Sequence, residues 1–86
     1  MPKIEMYSTT VCPYCNRAEM LLKNKGVEID KIMIDQDADA FKAMMSRSNG
    51  RRTVPQIFID DRHIGGFDDL YELDMDGELD PLLAKK

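Results

Sequence analysis

The sequence predicts an α/β domain: four short strands in one mixed sheet flanked by helices, in the order βαβαββα. Three observations predict it. Two apolar stretches of strand length, Lys3 to Ser8 and Glu28 to Ile34, enclose a segment with helical spacing, and a helical crossover makes such strands parallel and right-handed. Gln56 to Ile59 and His63-Ile64 are separated only by Asp60-Asp61-Arg62, a connection short enough to demand an antiparallel pair. The length of 86 residues suits one domain spanning 1–86 rather than two. A chain of this size buries roughly 60–65% of its unfolded surface, enough for a single core.

The first strand alternates, with Ile4, Met6 and Ser8 on one face. Thr9 and Thr10 form a loop. Thr10 or Val11 leads into Cys12-Pro13-Tyr14-Cys15, where Pro13 suits a first helical turn. That helix runs to about Lys25, turns Ala18, Leu21 and Leu22 inward and stops at Gly26. The second strand directs Ile32 and Ile34 to one side and Ile29 and Met33 to the other. Asp37 or Asp39 caps a second helix with Phe41, Met44 and Met45 on its apolar face, ending between Arg47 and Gly50. Gln56-Ile57-Phe58-Ile59 is a short strand, and the return strand His63-Ile64 stops at Gly65-Gly66. A last helix is expected to start at Asp68, with Asp68 as its cap, and to carry Leu70, Tyr71 and Leu73 before Gly77. Leu79, Leu82 and Leu83 anchor the tail.

Composition excludes several function classes. Apolar residues make up 43% and charged residues 33%, a globular balance rather than a disordered one. No apolar run approaches the length of a membrane span, and the start carries no secretory signal, so no membrane association is expected. Twelve basic against sixteen acidic residues give a net charge of −4, a poor basis for nucleic-acid binding. From Asp68 to Asp80 the acids Asp68, Asp69, Glu72, Asp74, Asp76, Glu78 and Asp80 stand without a base, which reads mainly as solvated surface. The seven methionines are scattered and read as packing.

The chemistry lies in the only two cysteines, Cys12 and Cys15. A Cys-x-x-Cys between a strand and a helix reads as a redox dithiol. Residues three apart on a helix are neighbours, close enough to form a disulfide. Cys12 falls where the first amides of the helix are unpaired and the dipole is positive, a place that favours a thiolate. Such thiols commonly fall well below the free value of about 8.5. A low pKa gives little net gain in attack, because nucleophilicity falls with it, but it makes Cys12 a good leaving group. Cys12 is therefore expected to attack and Cys15 to resolve. Half a zinc site is the alternative, but the only histidine is His63 and no further thiol exists, so no metal is expected. A static disulfide is another, but a loop this short constrains little of the unfolded chain.

Cys12-Pro13-Tyr14-Cys15, Thr53-Val54-Pro55, Gly65-Gly66 and Asp68-Asp69 together resemble the dithiol glutaredoxins. The stretch from Thr53 to Leu83 resembles the bacterial glutaredoxin 3 group within them, and the likeness covers essentially the whole chain. The resemblance implies a thioredoxin-like fold and a glutathione-dependent thiol-disulfide oxidoreductase. Protein disulfides would be reduced through Cys12 and Cys15, and protein–glutathione mixed disulfides through Cys12 alone. It implies no tightly bound cofactor, with glutathione as co-substrate. It implies a cytoplasmic monomer acting on disulfide-containing or glutathionylated proteins, ribonucleotide reductase among the candidates.

The same resemblance implies a glutathione site of Tyr14, Arg52, Thr53, Val54, Pro55, Gly66, Phe67, Asp68 and Asp69. Pro55 would be cis, and Val54 would offer backbone hydrogen bonds to an extended tripeptide. The amides at Phe67 and Asp68 would take the α-carboxylate of the γ-glutamyl group, and the Asp69 carboxylate its ammonium. Arg51 or Arg52 suits the glycine carboxylate. The chain departs from the pattern at Thr9, where many glutaredoxins have Lys, and at Phe67, where some have Cys. Two other readings remain open: a glutathione-ligated iron–sulfur carrier, against which Pro13-Tyr14-Cys15 speaks, and a reductant fed by a flavoenzyme. His63 has no expected catalytic role.

Overall fold

The computed structural model describes residues 2–84. Its elements are β1 (Ile4–Ser8), α1 (Pro13–Asn24), β2 (Asp30–Met33), α2 (Ala38–Arg47), β3 (Gln56–Ile59), β4 (Arg62–Gly65), α3 (Phe67–Met75) and α4 (Leu79–Leu83). The sheet order is β2-β1-β3-β4. β1 and β2 are parallel, while β1–β3 and β3–β4 are antiparallel. This is the expected mixed sheet, with one element more: the tail leucines form the short helix α4, giving βαβαββαα. Leu79 is its buried anchor.

Helices cover both faces. On one, Cys15, Ala18 and Leu22 of α1 and Leu70 of α3 pack on Ile4, Met6, Ile57 and Ile59, with Leu79 closing the cluster. On the other, Met44 and Phe41 of α2 pack on Tyr7, Phe58 and Ile32. The central strands β1 and β3 are buried at every position, whereas the edge strand β2 is half open. Strict alternation fails on β1 because a central strand covered on both faces hides both sets of side chains. Glu5 is therefore buried, and Arg47 answers it at 2.9 Å while donating to the Tyr7 hydroxyl at 3.0 Å and stacking 4.0 Å from the Phe58 ring.

The hairpin turn is Asp60-Asp61, both at positive φ (50° and 69°), and Arg62 already belongs to β4. Aspartate tolerates that region, and the turn matches the twist of the strands. Asp37 caps α2, accepting from the Asp39 N–H at 2.9 Å. The last helix departs from expectation. Its cap is Gly66, one position is gained at Phe67, and Asp68 is an exposed second helical residue. The carboxylate that serves the helix start is Asp69, which accepts the Gly66 N–H at 2.9 Å. A carboxylate at the third helical position reaches back to the cap amide, so the helix can begin directly after β4. Among the described residues no helix is long and apolar enough to cross a membrane.

Candidate active site

The end of β1 delivers the chain to α1 through Thr9, Thr10 and Val11. Asp35, just beyond β2, pins this loop: its Oδ2 accepts from the Thr10 hydroxyl at 2.6 Å and the Thr10 N–H at 2.9 Å. The hydroxyl bond, followed by the amide bond, holds the Asp35 carboxyl below its ordinary value. Cys12 is the N-cap of α1 in extended conformation, with Pro13 next in the first turn. Cys12 and Cys15 are joined as a disulfide with Cα atoms 5.2 Å apart. The Cys12 sulfur accepts the Cys15 N–H at 3.1 Å, occupying the place an aspartate or serine oxygen takes at other helix starts. Cys15 is 2% exposed and Cys12 8%, so an incoming thiol meets Cys12 first.

A groove of about 420 Å³ lies beside the pair, lined by Tyr14, Arg51, Thr53, Val54, Pro55, Gly66, Phe67, Asp68 and Asp69. That volume is in the range of small-ligand sites. The Val54–Pro55 bond is cis. Val54 packs on the cluster that contains both cysteines. The ring of Phe67 lies 6.2 Å from that of Tyr14. Every residue proposed from the sequence for glutathione lines this groove except Arg52. Its neighbour Arg51 stands there instead, 3.4 Å from the Asp69 Oδ2.

Two buried polar side chains hold the groove wall from beneath. Ser48, 1% exposed, donates to the Arg51 carbonyl at 3.2 Å. Gln56, wholly buried, donates from Nε2 to the Thr53 carbonyl at 3.0 Å and to its hydroxyl oxygen at 3.1 Å. The His63 Nε2 lies 2.7 Å from the Gln56 Oε1, which fixes His63 as an Nε2–H donor there. His63 also stacks on Phe58 at 4.9 Å. Burial, then the charge of Arg51, pushes the His63 pKa below its ordinary value. Sequence reasoning gave Gln56 and His63 no role, although a glutamine inside an apolar strand was a visible signal. Of the pair Gly65-Gly66, the sequence placed only Gly66 in the glutathione site, and Gly65 is the one with positive φ. It sits at φ 114°, and a Cβ there would overlap the Asp69 carboxylate.

The arrangement places a disulfide next to a groove that offers a guanidinium, a carboxylate and a helix start. Comparison with known proteins agrees with it. The Glutaredoxin family model matches residues 4–64. The chain is 59% identical to a probable glutaredoxin of Synechocystis over 94% of this chain and 92% of that protein. It is 55% identical to glutaredoxin 3 of Escherichia coli K12, over 96% of this chain and 99% of that one. Among solved structures it is similar to a buckwheat glutaredoxin–glutathione complex, with TM-score 0.84 and 38% identity over 95% of this chain and 76% of that one. The solution structure of a Brucella melitensis glutaredoxin matches with TM-score 0.81 and 46% identity, covering 94% and 87% of the two chains.

Proposed function

The chain belongs to the glutaredoxin family of glutathione-dependent thiol oxidoreductases, and from that premise we propose how its residues divide the work. The carrying observation is the Cys12–Cys15 disulfide at the N-terminus of α1, adjoining the groove. In the reduced protein the Cys12 thiolate, favoured by the helix start and the Cys15 N–H, attacks one sulfur of a protein disulfide. One protein thiolate leaves and a mixed disulfide forms on Cys12. The Cys15 thiolate then attacks the Cys12 sulfur, the second protein thiolate leaves, and the Cys12–Cys15 disulfide remains. One glutathione thiolate opens that disulfide at Cys12, and a second releases oxidised glutathione, so the two electrons come from two glutathiones.

In the one-cysteine route Cys12 takes glutathione directly from a glutathionylated protein, and a second glutathione clears it. The groove supports binding of the tripeptide. Val54 offers backbone, the Phe67 and Asp68 amides face an α-carboxylate at the helix start, and Asp69 and Arg51 offer opposite charges for its termini. Tyr14, Thr53, Pro55 and Gly66 shape its walls. The protein substrates on this reading are disulfide-containing or glutathionylated proteins, with ribonucleotide reductase a candidate. The chain acts as a monomer in the cytoplasm, where glutathione is kept reduced.

Cys12→Ser is expected to abolish both routes in a glutathione-coupled assay, and Cys15→Ser to spare deglutathionylation alone. Substantial turnover by Cys12→Ser would overturn the assignment.

A further inference from the structure

On α3 the residues Phe67, Tyr71 and Met75 recur every four positions and so share one side of the helix. The Phe67 ring lies 6.0 Å from Tyr71 and 6.2 Å from Tyr14, which stands between the two cysteines. Tyr14, Tyr71 and Met75 are 55%, 48% and 69% exposed. An aromatic and thioether strip thus runs from the redox pair along α3 for about 12 Å, taking about 1.5 Å of rise per residue. Asp68, Glu72 and Asp76 recur at the next position along, all exposed. None of these three acids makes an ion pair among the described residues, whereas Asp74 is tied to Lys25 at 2.7 Å. Acids at the C-terminal end of a helix oppose its dipole, and the last turn of α3 has no base to offset them. Asp68 in the first turn suits the dipole and Phe67 packs on the core, but helix stability does not explain Glu72 and Asp76, nor the exposed Tyr71 and Met75.

We propose that this face of α3 docks the polypeptide flanking the substrate protein's reactive cysteine, and that it selects segments combining apolar side chains with Lys or Arg. The proposal rests on the thiol-disulfide reading of Cys12. Charge complementarity names the occupant: the apolar row takes aliphatic side chains, and the unpaired acidic row beside it takes cations. An extended segment advances about 3.3 Å per residue, so the strip serves about four residues beyond the cysteine. Two cations stand at the redox end of the strip, Arg17 at 5.5 Å from the Tyr14 ring and Arg51 lining the groove with Tyr14 and Phe67, so the preference for basic segments applies away from the cysteine.

The test uses two peptides of equal length, each glutathionylated on a single cysteine, one followed by Leu and Lys residues and the other by Leu and Glu. The basic peptide is expected to have a kcat/KM about 10-fold higher at low salt, as a few exposed charge contacts allow, and the ratio should shrink at high salt. Glu72→Lys with Asp76→Lys should abolish or invert the ratio. Tyr71→Ser with Met75→Ser should lower kcat/KM for both peptides several-fold. All variants should keep the parent rate on the mixed disulfide of glutathione and 2-mercaptoethanol, which is too small to reach the strip. Equal kcat/KM for the two peptides, or a preference that survives the double charge reversal, would overturn the proposal. Failure of the parent protein on the small mixed disulfide would instead overturn the oxidoreductase reading.

Discussion

Gln56→Met isolates the support beneath the groove wall. Methionine nearly matches glutamine in volume, so the change removes hydrogen bonds without opening a cavity. Three contacts vanish: the two donated to Thr53 at 3.0 and 3.1 Å and the one shared with His63 at 2.7 Å. Each is worth about 1 kcal/mol net. Thr53 is exposed, so water can replace its lost donors, while half-buried His63 keeps an unpaired N–H. Better burial of the apolar methionine offsets part of the loss. A net cost of about 2 kcal/mol follows, which lowers Tm by about 8–16 °C in a domain of this size. Urea and thermal unfolding of the oxidised protein measure it. The KM for glutathione should rise several-fold with kcat nearly unchanged, because the wall loosens while Cys12 stays in place. A variant within about 0.5 kcal/mol of the parent, a difference below one net hydrogen bond, with an unchanged KM would refute this reasoning.

Two further perturbations test neighbouring parts of the site. His63 is held below its ordinary 6.5 by burial and by Arg51, so the fold prefers the neutral ring. Its contribution is intact above pH 6.5 and is lost as pH falls below that through the lower folded value, so the urea midpoint should decline there and His63→Gln should flatten the decline. Gly65→Ala forces a β-carbon onto a backbone at φ 114° and into the Asp69 carboxylate. It should cost about 1–3 kcal/mol by urea unfolding and raise the KM for glutathione, since Asp69 must move.

The parts of the fold that were legible in the sequence are those governed by local rules. Pro13 and Gly26 bracket α1, Asp37 caps α2, and the Asp60-Asp61 turn sets the last hairpin. In each case a residue type and a backbone requirement coincide. The start of α3 misled because two aspartates were in reach of one helix end. The capping rule favours an aspartate at the cap, but Gly66, directly after β4, took the cap so that the helix begins one residue earlier, and Asp69 served the cap from inside it. The tail leucines showed burial but not conformation, since five residues carry too little period to reveal α4.

The site divides along the same line. Cys12 and Cys15 were legible because their chemistry and their spacing are both local. The groove wall was not, because residues 49–55 have no regular structure and their shape is set from below by the buried polar side chains at either end, Ser48 and Gln56. Ser48 and Gln56 are buried and polar at positions where packing alone would favour an apolar residue. Each donates to the backbone or side chain of the segment from Arg51 to Thr53. Burying a polar group is costly unless it is paired, so a buried amide that pairs with an irregular segment marks that segment as one whose position matters. Read that way, the glutamine at the head of an otherwise apolar Gln-Ile-Phe-Ile strand was the sequence's own pointer to the wall.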